Sequence, residues 1–159
     1  NLDRETIPTY SLTVTVKDTT KPLPLSATTT VSVILTDVND NNPVFPSQYQ
    51  FAVQENQPSG TSIGTVTATD VDQPNTANSK LTYRLNPANN VFAINQTTGQ
   101  ITTLQPLDYE SQNQYILKVL AVDHANDSRT GTVSVTVNVT DVQDSVPLFT
   151  QQIFTANVT

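Results

Sequence analysis

The feature that most constrains this chain is an internal repeat about 105 residues long. Residues 2–18 (LDRETIPTYSLTVTVKD) match residues 107–123 (LDYESQNQYILKVLAVD), and residues 31–45 (VSVILTDVNDNNPVF) match residues 135–149 (VTVNVTDVQDSVPLF). A period of this length has the size of a small domain and not of one solenoid turn. The repeat therefore predicts similar domains joined in series.

The positions of the matching segments divide the chain into three parts. Residues 1–42 correspond to the last two strands of one unit and the linker after it, residues 43–145 form one complete unit, and residues 146–159 correspond to the first strand of a third. This arrangement predicts an excerpt of a longer tandem array. We expect any secretion signal or membrane anchor to lie outside the excerpt.

Alternation of apolar and polar residues predicts seven short strands in the complete unit. They are expected at residues 49–54, 62–68, 80–85, 91–94, 100–104, 113–121 and 131–140. The turn-forming residues between them favour antiparallel pairing. The predicted fold class is all-β, with seven-stranded, Greek-key, immunoglobulin-like β-sandwich repeats in tandem.

The charge composition narrows the possible partners. The chain has 7 Lys and Arg residues against 14 Asp and Glu residues, for a net charge of -7. Nucleic acid and anionic membrane surfaces need clustered basic residues, so neither is an expected partner. No apolar run is long enough to insert into a membrane. Cysteine is absent, which excludes disulfides and thiolate metal sites.

The acidic residues lie at the ends of the predicted strands, and loops of a sandwich gather at its two poles. Only Asp127 departs from this placement; the others are Asp3, Glu5, Asp18, Asp37, Asp40, Glu55, Asp70, Asp72, Asp108, Glu110, Asp123, Asp141 and Asp144. Carboxylates gathered at a pole repel one another unless a cation neutralises them. Hard divalent cations take six to eight oxygen ligands, so the pattern predicts metal sites at both poles.

The order and spacing of these residues resemble the signature of the cadherin repeats. The motifs that carry the resemblance are Glu55-Asn56, Asp70-Val71-Asp72, Leu107-Asp108-Tyr109-Glu110, Ala121-Val122-Asp123 and the linker Asp37-Val38-Asn39-Asp40-Asn41-Asn42-Pro43. The resemblance covers the whole chain. It implies extracellular repeats that bind three calcium ions at each junction between successive units.

The resemblance also implies the ligands. For the first junction they are Asp3, Glu5, Asp37, Asn39, Asp40, Asp70, Asp72 and Asp123, with the main-chain carbonyls of Val38, Asn41 and Asn78. For the second junction they are Glu55, Asp108, Glu110, Asp141, the carbonyl of Val142, and Asp144. Gln143 and Ser145 replace the linker asparagines of the pattern, which puts the third ion of the second junction in question.

Four Asn-x-Ser/Thr triplets are candidate acceptors for N-linked glycans, at Asn95, Asn126, Asn138 and Asn157. They favour passage through the secretory pathway. This agrees with the extracellular location that the resemblance implies.

These features predict a calcium-dependent, rigid extracellular repeat of a plasma-membrane-anchored cell–cell adhesion protein. Its expected partners are the other repeats of the same chain and another cell-surface protein, of the same or a different kind. One alternative is a non-adhesive receptor or secreted matrix spacer built from the same calcium-binding repeats. Another is a calcium-independent immunoglobulin-like or fibronectin-like interaction module.

We expect no enzymatic activity. Two acid pairs, Asp108 with Glu110 and Asp70 with Asp72, have the composition of a glycosidase pair. General acid–base catalysis needs the pKa of one member raised in an apolar cleft. A pole crowded with carboxylates is not expected to separate two pKa values in this way.

Overall fold

The computed structural model describes residues 2–19 and 25–147. Within them the chain forms nine β-strands and no helix, so the predicted all-β class is confirmed. The strands are β1 Thr9–Lys17, β2 Ser26–Ile34, β3 Tyr49–Gln54, β4 Ser62–Thr65, β5 Leu81–Leu85, β6 Phe92–Ile94, β7 Gln100–Thr103, β8 Gln114–Asp123 and β9 Thr130–Thr140.

Strands β3 to β9 form two sheets, a four-stranded sheet in the order β3-β9-β8-β5 and a three-stranded sheet in the order β4-β7-β6. The side chains that face inward from both sheets join in one hydrophobic cluster. This is the predicted β-sandwich. Its Greek-key connectivity stays a prediction.

The expectation of antiparallel pairing throughout is wrong for the first and last strands of the sandwich. β3 pairs in parallel with β9, from Tyr49 opposite Val135 to Gln54 opposite Thr140. The reason is geometric: a unit within a tandem array is entered at one pole and left at the other. Its first and last strands therefore run in the same direction and must be parallel where they are neighbours.

The alternation seen in the sequence places the core. On β9, Val133, Val135, Val137 and Val139 are buried, while the residues between them face outward or are partly covered. β-branched residues fit a pleated surface that is buried on one face. Burying each such side chain contributes about 1.5–3 kcal/mol. Phe92 on β6 closes the core from the opposite sheet.

β4 is shorter than the sequence predicts, ending at Thr65 and not at residue 68. Beyond that point, two tyrosine hydroxyls form hydrogen bonds with the backbone N–H groups. Tyr49 accepts a hydrogen bond from the Thr67 N–H at 3.0 Å, and Tyr83 accepts one from the Ala68 N–H at 3.0 Å. These side chains replace the partner strand that a longer β4 would have needed.

Strands β1 and β2 form a separate two-stranded antiparallel sheet, with Thr9 opposite Ile34 and Lys17 opposite Ser26. Every residue of β2 and all of β1 except Tyr10 are exposed, including large apolar side chains such as Leu12 and Val33. The strand predicted within residues 146–159 falls almost wholly outside the described residues.

Replacing Ile101 by alanine should lower the free energy of unfolding by about 2–5 kcal/mol, because its side chain is 0% exposed between the sheets. Ile116→Ala is the matched control. It should cost less than about 0.5 kcal/mol, because Ile116 on β8 is 72% exposed. Urea denaturation at constant free calcium measures both. Equal losses in the two variants would contradict the placement of the core.

The backbone amides of β1 and β2 should exchange with solvent deuterium at least about tenfold faster than those of β8 and β9, since a two-stranded ribbon with exposed faces is marginal in water. Hydrogen exchange followed by mass spectrometry of peptides from the 159-residue chain tests this. Equal protection of the two regions would mean that β1 and β2 have found a packing partner, such as a neighbouring chain.

Candidate metal centres

Three carboxylates from different parts of the chain meet beside the linker between β2 and β3. Glu5 comes from the turn before β1, Asp37 from the linker, and Asp72 from the loop between β4 and β5. One oxygen from each lies within 4.8 Å of the others. Oxygen ligands lie about 2.3–2.6 Å from calcium, so oxygens at this separation can share one ion. The structure thus brings together three residues that sequence analysis assigned to the first junction.

The polar groups at and around this first cluster are buried, which is unfavourable for their charges. Asp72 is 0% exposed, and Asn39 and Asp123 are 5% and 3% exposed. Among the described residues, four buried side-chain atoms have no hydrogen-bond partner: Arg4 Nε, which is in the ion pair with Asp37, and the oxygens Asn39 Oδ1, Asp70 Oδ2 and Asp72 Oδ2. Leaving a charged oxygen buried without a partner is unfavourable. Because these three oxygens are acceptors, the group that satisfies them must be a cation or a donor, and a calcium ion fits this oxygen set.

Asp37 is held mainly by groups of the following unit. Its carboxylate accepts hydrogen bonds from the Asn78 amide at 2.9 Å and from the Gln73 N–H at 3.1 Å. Burial raises its pKa, but these bonds and the Arg4 guanidinium together outweigh burial and lower it. Asn78, expected to contribute through its carbonyl, contacts the cluster through its side-chain amide.

Arg4 is a residue of the first cluster that sequence reasoning missed. Its guanidinium forms ion pairs with Glu5 and Asp37, and donates a hydrogen bond to the Val71 carbonyl at 3.4 Å. It therefore spans from the turn before β1 to the loop of the next unit. Its position between two predicted ligands was the available signal. The second copy has Tyr109 at the same place.

The remaining linker side chains pack against the cluster. The Asn41 amide donates to Asp40 at 2.8 Å and to Asp72 at 2.7 Å. The Val38 carbonyl accepts the Asp40 N–H at 2.9 Å. The predicted linker ligands thus lie at the same pole, in contact with one another.

Asp3 is not one of the three clustered carboxylates, and neither are the predicted ligands Asp40, Asp70 and Asp123. The two oxygens of Asp3 accept hydrogen bonds from the Thr6 hydroxyl at 2.6 Å and from the N–H groups of Glu5 and Thr6. The bonds from Thr6 lower the pKa of Asp3, so it remains ionised as the cap of its own turn.

The second cluster joins Glu55, Asp108 and Glu110, whose oxygens lie within 4.8 Å of one another. Glu55 is 1% exposed and accepts the Val142 N–H and the Tyr109 N–H, each at 2.7 Å. It meets these groups because β3 and β9 are parallel and end at the same pole. Glu55 therefore ties together the end of β3, the 107–110 turn and the linker after β9.

Two further predicted ligands flank this second cluster. Asp144 accepts a hydrogen bond from the Asn56 amide at 2.6 Å, and Asp141 is exposed nearby. The N–H of Glu110 itself lowers the Glu110 pKa, but desolvation and the charges of Glu55, Asp144 and Asp141 raise it overall. A bound cation would remove the part of this shift that comes from repulsion by the neighbouring carboxylates.

The pKa values of Asp108 and Glu110 are shifted in opposite directions. The Ser111 hydroxyl and N–H lower the pKa of Asp108, whereas that of Glu110 is raised. Both residues are exposed. The separation arises from local hydrogen bonds and from neighbouring carboxylates, not from an apolar cleft of the kind that tunes a general acid.

The predicted glycan acceptors differ in their surroundings. Asn95 and Asn126 are exposed, and the side-chain oxygen Oδ1 of Asn95 accepts hydrogen bonds from the Thr97 and Thr98 N–H groups. Asn138 is half-buried on β9, where its side-chain oxygen accepts a hydrogen bond from Gln114 at 2.9 Å. Asn157 lies outside the described residues.

Comparison with known proteins agrees with the motifs. The cadherin domain model matches residues 49–140, more than half of the chain. Cadherin-99C of Drosophila melanogaster is 43% identical over 151 residues, which cover 93% of this chain and 8% of that protein. Protocadherin-23 of Homo sapiens is 38% identical over 164 residues, covering 99% of this chain and 5% of that protein. The chain thus spans less than a tenth of these relatives.

A solved structure supports the same assignment. Extracellular cadherin domains 3–6 of protocadherin gamma B2 superpose with a TM-score of 0.82 at 34% identity, over 90% of this chain and 35% of that one. In the described residues, no helix has the length and hydropathy to cross a membrane.

Asp70→Asn should act with opposite signs in the absence and presence of calcium. Burial, and then the charges of Asp72, Asp123 and Asp37, raise the Asp70 pKa. The ionised form is thus disfavoured in the folded state, and stability falls as pH rises through that pKa. Without calcium at neutral pH the variant should therefore melt roughly 2 °C higher than the wild type.

In millimolar calcium the same Asp70→Asn variant should melt lower than the wild type, because a predicted ligand has lost its charge. Asp127→Asn, which removes a charge outside the cluster, is the matched control and should shift neither melting temperature appreciably. Differential scanning calorimetry in both buffers gives the comparison. A shift of the same sign in both would rule out this role for Asp70.

Proposed function

Because this chain belongs to the cadherin family, we propose that it is a calcium-dependent rigid spacer of a cell-surface protein that serves cell–cell adhesion. The observation that carries the proposal is the set of buried, unpartnered oxygens on Asn39, Asp70 and Asp72. They lie beside a linker between two units, where a bound ion would hold the units at a fixed angle.

Calcium at the first junction would connect three parts of the chain: the turn before β1, the linker, and the loops of the sandwich. The proposed ligands are Asp3, Glu5, Asp37, Asn39, Asp40, Asp70, Asp72 and Asp123, with main-chain carbonyls of Val38, Asn41 and Asn78. Bound calcium would supply the positive charge that this pole lacks. Asp3 must turn from its Thr6 hydrogen bonds to take part.

Without calcium, the carboxylates of this pole repel one another across the joint. Arg4 offsets part of that charge through Glu5 and Asp37. Its guanidinium does not reach Asp70 Oδ2 and Asp72 Oδ2, which stay buried and unpartnered although the other oxygen of each carboxylate accepts a hydrogen bond. The calcium-free joint should therefore sample a range of bend angles, and the calcium-bound joint a narrow one.

The second junction would be built in the same way but less completely. Its proposed ligands are Glu55, Asp108, Glu110, Asp141, the carbonyl of Val142, and Asp144. Glu55 is already oriented by two backbone N–H groups, which supports two ion sites around it. Gln143 and Ser145 stand where the repeat pattern has asparagines, so we propose that the third ion binds weakly or not at all.

The wider role rests on family membership. We place the repeat boundaries at residues 42/43 and 145/146, the protein outside the cell on a plasma-membrane anchor, and its adhesive partner on another cell surface. The protein has no enzymatic role in this proposal, and its acidic surface does not bind nucleic acid. Glycans are proposed at Asn95, Asn126, Asn138 and Asn157, with Asn95 and Asn126 the more accessible of the three described sites.

Asp72→Asn in an array of two complete repeats should weaken calcium binding at the first junction by about tenfold or more from a wild-type dissociation constant of roughly 10⁻⁴–10⁻³ M. The Asp72 side chain is fully buried but is not part of the hydrophobic core, so each unit should remain folded. Calorimetric calcium titration and circular dichroism measure the two effects.

Small-angle scattering of the same array completes the test. Calcium should narrow the distribution of overall lengths in the wild type and in the control Asp127→Asn, but not in Asp72→Asn. If the wild-type array bound no calcium at about 2 mM, the proposed function itself would fail.

A further inference from the structure

The linker is fastened to the loop between β8 and β9 by contacts that involve no carboxylate of the metal clusters. The Asn39 amide donates a hydrogen bond to the Asp127 carbonyl at 3.1 Å. The Arg129 side chain donates back to the Asn39 carbonyl through Nε at 2.8 Å and contacts the Asn42 side chain at 3.5 Å. Gly131 lets the Pro43 carbonyl approach so closely that an added Cβ would collide with it.

Arg129 also touches a second proposed ligand. Its N–H donates to Asp123 Oδ2 at 3.0 Å, and its carbonyl accepts the Asp123 N–H at 3.2 Å. Arg129 therefore lies between two ligands of the first junction, orienting Asp123 through its backbone and Asn39 through its side chain. The Asn39 amide nitrogen is engaged, which leaves its Oδ1 as the buried, unpartnered atom on the cluster side.

The other copy of the repeat lacks this side chain. Leu25 occupies the corresponding position before β2, with the same backbone bonds to Asp18, at 2.9 Å from the Asp18 N–H to the Leu25 carbonyl and 3.2 Å from the Leu25 N–H to Asp18 Oδ1. Leu25 is 74% exposed. The backbone arrangement is thus independent of the arginine, and only the side-chain connection to a linker is added in the second copy.

We propose that Arg129 is a positioning residue for calcium binding, which keeps residues 39–43 docked on the β8–β9 loop before any ion arrives. The docked linker presents the Asn39 oxygen at a fixed place, so calcium need not order it. This proposal rests on the proposed function. It places the flexible point of the calcium-free joint between the end of β2 and Asp37, whose carboxylate is also held by the loops of the sandwich.

The sign of the effect separates positioning from charge. Arg129 is a cation close to a cation site, so its charge alone opposes calcium binding. If charge were its only contribution, Arg129→Leu would bind calcium more tightly. If Arg129 positions the linker, the same substitution should weaken binding roughly tenfold, as the loss of an outer partner of a metal ligand typically does.

The test is a calcium titration of the 159-residue chain followed by NMR, using the amide signals of Asn39 and Asp72 to report on the first junction alone. Arg129→Leu, which copies Leu25, should bind about tenfold more weakly than wild type. Arg129→Lys, which keeps the charge but not the forked donor geometry, should fall between them. Arg84→Leu, an exposed arginine on β5, is the matched control and should not weaken binding.

A measurement without calcium tests separately whether Arg129 orders the linker. Backbone order parameters for residues 39–42 should be about 0.85 in wild type and fall toward 0.6 in Arg129→Leu, with β8 and β9 unchanged. Equal or tighter calcium binding by Arg129→Leu, or unchanged order in the linker, would overturn the proposal. If wild type itself bound no calcium, the proposed function would fail first, whatever the linker order showed.

Discussion

The structure depends on one unfavourable interaction: the repulsion among carboxylates buried at the poles of a β-sandwich. Asp70 and Asp72 each keep a buried oxygen without a partner, and burial, followed by the charges of neighbouring carboxylates, raises the pKa of Asp70. A cation bound at the pole would offset the cost of burying these charges, and under the proposed function it would make the stiffness of the joint depend on calcium.

The parallel pairing of β3 with β9 determines where the two carboxylate clusters lie. Because both strands run from the first pole to the second, the chain enters at one end and leaves at the other. The same pairing brings Glu55 beside the Val142 N–H, so the second cluster forms where the next linker begins. At the first pole, Arg4 connects the turn before β1 to Asp37 of the linker. Arg129 hydrogen-bonds the Asn39 carbonyl of the same linker.

Much of this was accessible from the sequence. Alternation located the strands of the sandwich and its core valines, since side-chain direction along a strand is fixed by period two. The acids at strand ends indicated the two poles, and the resemblance to cadherin repeats assigned residues to each junction. The parallel pair was missed because strand direction depends on the connectivity of the array and not on local pattern. Arg4 and Arg129 were missed because contacts between distant segments leave no periodic signal. The local hydrogen bonds from Thr6 to Asp3 were missed because residue spacing alone does not give the direction of a side chain.

The β3–β9 pairing has a mechanical consequence. When tension pulls the chain from its two ends, the load enters along β3 and leaves along β9, which are direct neighbours and parallel. All the paired positions from Tyr49 opposite Val135 to Gln54 opposite Thr140 are then sheared together. An antiparallel hairpin pulled from its open end would instead separate one pair at a time. The two strands that join the repeat to its neighbours thus share the force across their whole contact.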